Sequence, residues 1–218
     1  MDIEAGRTFS LAKELVAPPG CTVSSKLARP DGAPLGFALA AGTDISAESY
    51  ATPKLVLVQG GTLELYGSGG EATTLGAGEL AVTPIDVPVG VRTGVGCGYV
   101  EVNLGREAQM NEMLKAGEVL RLADLLPYQD GSIVNMDLAH NAGMKLALMS
   151  FDAGQGLSEH SAPGEAIVFA LDGEATIGYE GEEHLIHAGE NFKFDAGGRH
   201  YVRADKRFKM ALLLTLGE

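Results

Sequence analysis

The chain is written twice, and this repetition restricts its folding more than any other feature. Shifted by 111 residues without a gap, residues 5 to 35 overlay residues 116 to 146 with eleven identities, among them Gly6, Leu11, Gly20, Leu27 and Leu35. After one inserted residue, KLVLVQGGTLELYG at 54 to 67 lies over AIVFALDGEATIGY at 166 to 179, and Gly61 falls on Gly173. After a compensating slip, LGAGELAVTPIDVPVGV at 75 to 91 meets IHAGENFKFDAGGRHYV at 186 to 202, with Gly78 on Gly189. A repeat this long is a tandem copy of one small domain of about 105 residues. The expected division is residues 1–105, a connector at 106–115, and residues 116–218.

Each copy reads as short strands between turns. The first offers LGFALAAG, KLVLVQG, TLELYG, ELAVTP and YVEVNLG, and the second MKLALMSF, AIVFALDG, EATIGYEG, ENFKFDAG and FKMALLLTL. Turn signals such as PDGAP, GSGGE and YEGEE separate them, and the 30 glycines suit tight turns better than long helices. Strands at this density predict an all-β sandwich or barrel. One helix is expected, in REAQMNEMLKAGE at 106 to 118, where Met110, Met113 and Leu114 have helical spacing before Lys115 and Gly117.

Charge narrows the partners. Sixteen basic against 29 acidic residues give a formal charge of -13, which repels a nucleic-acid backbone and an anionic membrane alike. The N-terminal MDIEAGRTFSLAKEL has acidic residues where a signal peptide needs basic ones, and ALLLTL at 211 to 216 is too short to span a bilayer. The expectation is a cytoplasmic protein with no nucleic-acid or membrane partner. Cys21 and Cys97 form no CxxC, so both read as core or near-core thiols.

The glycine frame and a histidine pattern resemble the cupins. The family's first motif is Gly, five residues, His-x-His, three or four residues, Glu, six residues, Gly. The second is Gly, five residues, Pro-x-Gly, two residues, His, three residues, Asn. The second copy resembles the first motif at Gly154, His160, Ala162, Ala166 and Gly173, with alanines in place of a His and the Glu. It resembles the second motif at Gly189, Asp195, Gly197, His200 and Ala204, with Asp195 for Pro and Ala204 for Asn. In the first copy the frame is Gly42, Glu48, Tyr50, Lys54, Gly61, Gly78, Pro84, Asp86 and Val89, with no histidine. The resemblance implies a bicupin: two tandem double-stranded β-helix (jelly-roll) barrels joined by a short helical connector, and a homodimer is expected.

Family members of this kind include metal-dependent dioxygenases, decarboxylases and isomerases, and others that only bind small molecules. Strand parity and the motif frame put His160, Ala162, Ala166 and His200 inside the second barrel. Two readings of that pocket stand open beside the plain one that both histidines are structural. It is a metal-free polar pocket for a small-molecule ligand, or His160 and His200 join Glu165 in a two-His, one-carboxylate site for Fe, Mn, Zn or Ni. The second needs a bulge near Pro163 and Gly164, because Glu165 is one residue out of register. The corresponding functions are small-molecule binding, an oxygenase- or isomerase-type enzyme, and a non-catalytic structural or regulatory protein.

In the first copy Glu48, Tyr50 and Lys54 occupy the ligand positions as a vestigial site. Either Glu48 and Lys54 pair inside the barrel, or Lys54 reaches its mouth and Glu48 is solvated. His140, His184 and His187 read as surface residues, with His187 a remote extra ligand candidate.

Overall fold

The computed structural model describes residues 3–29, 34–67 and 71–216. The turn signals PDGAP and GSGGE fall largely outside them. The chain forms two compact units, one of Leu11–Leu27 and Gly32–Arg121, the other of Asp2–Ser10, Ala28–Asp31 and Leu122–Glu218. The copies therefore trade short segments. Thr8–Phe9, from the first copy, runs antiparallel to Asn191–Phe194 of the second unit, with Thr8 opposite Phe192. Val119–Arg121, its counterpart in the second copy, pairs with Glu79–Val82 of the first unit, with Leu120 opposite Leu80.

Both units have one strand order. In the first, Val119–Arg121, Glu79–Val82, Lys54–Gly67, Cys97–Asn103, Leu35–Leu39 and Thr22–Lys26 lie side by side. A second layer pairs Thr43–Glu48 with Val89–Thr93, and Val89–Thr93 with the far half of Lys54–Gly67. In the second unit the layers are Thr8–Phe9, Asn191–Phe194, Ala166–Tyr179, Phe208–Thr215, Met144–Phe151 and Ile133–Asn141, and Gln155–Ser161 beside Arg199–Ala204. Alternating side chains face inward, so the second unit buries Phe151, Phe192, Phe194 and Phe208 together, and the first buries Val56, Val58, Leu63 and Tyr99.

The 14-residue strands Lys54–Gly67 and Ala166–Tyr179 serve both layers of their barrels, so each must bend. The register slips at equivalent places, between Val58 and Gly60 and between Ala170 and Asp172. Gly61 and Gly173 follow with φ of 76° and 73°. A Cβ on either would lie 2.0 Å from a carbonyl oxygen, of Gly96 or of Arg207. The repeated glycine thus meets both a left-handed backbone and a close strand approach.

The expected connector helix does not form. Residues 106 to 118 contain turns and a short strand, Gln109–Met110. The Asn111 side chain accepts the Met113 N–H at 3.1 Å and its carbonyl accepts the Leu114 N–H at 2.9 Å, closing a turn. Ala116 bridges Val82, whose carbonyl takes the Gly117 N–H at 2.9 Å, while Leu114 is buried. An isolated helix shorter than ~12–15 residues is marginal, so bonding to the sheet edge prevails. Among the described residues the α-helix is a single turn, Leu11–Glu14, and no helix is long and apolar enough to cross a membrane. Cys97 is buried as expected for a core thiol, and burial pushes it up to about 12, but Cys21 is exposed.

Candidate functional site

Gln155–Ser161 and Arg199–Ala204 run antiparallel with His160 directly opposite His200. The register slips between Leu157 and His160, and the first barrel slips at the matching place, between Ile45 and Glu48. Directly opposed residues share a face of the sheet. The two imidazoles accordingly meet, with ring centroids 4.4 Å apart and planes at 56°. His200 is buried and stacks on Phe194 at 4.0 Å and 19°, whereas His160 is exposed. Ala166, buried opposite Phe194, adds no polar group. Ala162 follows the His160 strand, and its carbonyl accepts the Gly197 N–H at 2.8 Å.

Both histidines are oriented by their own strands. His160 Nδ1 lies 2.8 Å from the Ser158 carbonyl and His200 Nδ1 2.9 Å from the Gly198 carbonyl. A carbonyl oxygen only accepts, so each Nδ1 carries the proton and donates it, and in the neutral ring each Nε2 keeps its lone pair. Burial holds the His200 imidazolium below the ordinary histidine range; the Gly198 carbonyl opposes this, and the neighbouring His160 adds to it. His200 is thereby kept as a neutral acceptor.

Tyr179 extends the row. It stands opposite His200 on the next strand, and its ring lies 5.6 Å from Phe194 and 5.9 Å from Phe192. Its hydroxyl donates to Asp195 at 3.4 Å and accepts the Asp195 N–H at 3.4 Å. Gly198 leaves room for this ring, since a Cβ there would meet it at 2.6 Å. Sequence reasoning missed Tyr179, although Ala175, Ile177 and Tyr179 alternate along one strand and signal a shared inward face.

Glu165 does not join this group. Its carboxylate pairs with Lys193 at 3.0 Å, both side chains being nearly buried, and accepts the Arg29 N–H at 3.0 Å. Lys193 alternates with the inward Phe192 and Phe194, so this pair is on the outer face of the barrel. The bulge that would swing Glu165 inward is absent. The strand keeps step from Ala166, opposite Phe194 and Leu214.

The residues present do not fit the family's metal centre. His160 and His200 offer two imidazole donors, and Ala162 and Ala166 stand where the other two ligands belong. A catalytic divalent site needs about three protein ligands. Among the described residues, no group of three His, Cys, Asp or Glu is gathered to hold a metal ion. His187 lies apart, between Glu190 at 3.1 Å and Glu174 at 3.8 Å.

In the first barrel Glu48 stands opposite Val89. Glu48 does not pair with Lys54. The Lys54 ammonium binds Glu101 at 2.8 Å and sits 3.5 Å over the Tyr50 ring, while the Tyr50 hydroxyl donates to Glu48 at 3.0 Å. Glu101 was outside the expected set. Its signal is the alternation Cys97, Tyr99, Glu101 along one strand, which puts it on the inward face with Tyr99.

Residues 147–216 match the family model described as a cupin domain. The chain resembles in structure a cupin 2 conserved barrel domain protein from Leptotrichia buccalis, with a TM-score of 0.85 and 23% identity over 98% of each chain. It also resembles the putative glyoxylate induced protein of Pseudomonas aeruginosa, with a TM-score of 0.62 and 15% identity over 99% of this chain and 90% of that one. A third likeness is to salicylate 1,2-dioxygenase from Pseudaminobacter salicylatoxidans, with a TM-score of 0.59 and 10% identity over 83% of this chain and 70% of the enzyme. Comparison with curated proteins gives no match. At these identities the structural likenesses are likenesses of fold. The domain match makes residues 147–216 a cupin domain, and the shared barrels and the motif frame that holds His160 and His200 support the cupin fold for the chain.

Proposed function

We propose that the chain is a small-molecule-binding cupin protein whose second barrel takes a compact hydroxylated compound on His160 and His200 without a metal ion. The supporting observation is the facing pair of imidazoles, each with Nδ1 committed to a backbone carbonyl. Two Nε2 lone pairs on one side of a barrel accept hydrogen bonds from ligand O–H groups. Phe194 and Tyr179 supply the apolar wall that such a compound's carbon face needs. A carboxylate in the His row would compete with the ligand for solvent and charge, and Glu165 faces away from it.

The test is a thermal-shift screen of chelator-treated protein with polyols, sugar acids and phenols. A compound that binds the native state raises the midpoint, and at a hundredfold excess over Kd it adds about 2.7 kcal/mol. The expected binder loses at least tenfold in affinity in both His160→Ala and His200→Val. A shift that persists undiminished in both variants, or that requires added divalent metal, overturns the reading.

A further inference from the structure

The two units also differ outside their barrels, where the long strand bends. In the second unit a polar cluster covers that outer face. The Tyr128 hydroxyl donates to Asp172 at 2.8 Å, and the Arg207 guanidinium and Lys209 ammonium lie 5.2 and 4.6 Å from the centre of the Tyr128 ring. Arg207 donates to Asp152 and Asp130, each at 2.9 Å, and Lys209 to the Ala123 carbonyl at 2.6 Å. Register gives these side chains their counterparts in the first unit: Gly60 for Asp172, Gly98 for Lys209 and Gly96 for Arg207. Ala40 stands for Asp152, since their N–H groups make the same backbone bond, to the Cys21 and Ser132 carbonyls. The repeat puts Ala17 on Tyr128 and Pro19 on Asp130. Glycine, alanine and proline thus replace the whole cluster.

Only part of the freed space is taken up. The turn Leu11–Glu14 and Leu15 settle on the bare strands, so that a Cβ on Gly60 would lie 2.9 Å from that of Ala12, and one on Gly98 2.9 Å from that of Leu15. Beside them remains a groove of about 430 Å³. An apolar cavity of ~150 Å³ accepts one benzene ring, so this groove has room for two or three fused rings. Among the described residues no charged side chain lines it, and Val16 and Val95, 69% and 73% exposed, stand on its rim. A charged ligand would give up water there without gaining a partner, whereas bare glycine backbone at Gly60 and Gly96 lets a flat ring come close.

We infer that this outer groove of the first unit binds a flat, uncharged aromatic compound of two or three fused rings, at the place where the second unit sets its own Tyr128 ring. Naphthalene is the probe, because it has no O–H to offer His160 or His200 and so tests the groove independently of the second barrel. The ¹⁵N-labelled full chain is titrated with naphthalene, with its anionic relative 2-naphthoate, and with camphor, which is uncharged but not flat. Naphthalene is expected to shift the Gly20, Gly60, Gly96 and Gly98 amides saturably while the His160 and His200 ring resonances stay in place. Both 2-naphthoate and camphor are expected to bind at least tenfold more weakly. Ala17→Tyr, which imports the ring of Tyr128, is expected to weaken naphthalene binding at least tenfold. Val95→Lys, which imports Lys206 at the rim, is expected to weaken it at least threefold. Unchanged amide resonances of the second unit show that each variant is folded. The assignment is overturned by shifts that do not saturate or that centre on His160 and His200, by 2-naphthoate or camphor binding as tightly as naphthalene, or by full affinity in both variants.

Discussion

Where the second barrel sets His160 opposite His200, the first sets Glu48 opposite Val89. Tyr50 and Lys54 stand at the positions of Ala162 and Ala166, Thr83 at that of Phe194, and Glu101 at that of Leu212. Around these exchanged side chains the backbones agree in detail. Both slip register before the same inward residue, and both turn the long strand at a glycine with φ near 75°. The difference teaches which part of a duplicated barrel is bound by geometry. Strand bends and registers are held by backbone collisions that tolerate no side chain, whereas the interior accepts an imidazole pair in one copy and an ion pair with phenols in the other.

The largest break in this comparison should come from the shared bend. Gly61→Ala and Gly173→Ala each put a Cβ against a carbonyl oxygen in a left-handed conformation, and each should lower stability by about 3 kcal/mol or more in denaturant unfolding. A neutral result at either glycine would mean that the two bends are not equivalent.

Glu165→Ala should come next, because it strands the Lys193 ammonium on the outer face, where the first barrel has Pro53 and Val82. A loss of about 3 kcal/mol is expected, with ligand affinity in the second barrel unchanged. Reduced affinity with intact stability would return Glu165 to the site. Lys54→Met should cost about 2 kcal/mol, since its partner Glu101 is still slightly solvated. Adding Glu101→Leu, the second barrel's residue there, should recover most of that loss in the same unfolding assay.

The smallest effect is on acid stability. His200 has a folded-state pKa below its unfolded value near 6.5, so the native state resists a proton that the unfolded chain accepts. Its contribution is intact above about pH 6.5 and is lost as the pH falls through that value toward the lowered folded pKa. Unfolding midpoints measured from pH 7.5 to 5 should fall more steeply for the wild type than for His200→Val, which imports the first barrel's Val89. Parallel curves would remove His200 from the account.

Much of the frame was legible from local pattern. The repeat, the strand alternation and the motif glycines carried the two barrels, and the motif spacing singled out His160 and His200, which the register sets opposite one another. The connector was not legible. Met110, Met113 and Leu114 have helical spacing, but an Asn111 turn and bonding to Val82 decide the backbone, and that partner lies far off in sequence. Lys193 for Glu165 and Glu101 for Lys54 are likewise 28 and 47 residues away, so which charge meets which depends on strand register rather than neighbouring sequence. Tyr179 lay beyond a register slip between Ala170 and Asp172 that resets parity along its strand.

The central claim is that the second barrel presents two imidazoles whose Nδ1 atoms donate to backbone carbonyls and whose Nε2 atoms are open to a ligand. Long-range ¹H–¹⁵N correlation of the histidine side chains in chelator-treated protein at pH 7.5 tests it directly. The account predicts that His160 and His200 both carry their proton on Nδ1, with unprotonated Nε2 resonances that move when a hydroxylated ligand binds. Protons on Nε2 of either ring, with Nδ1 bare, would contradict it.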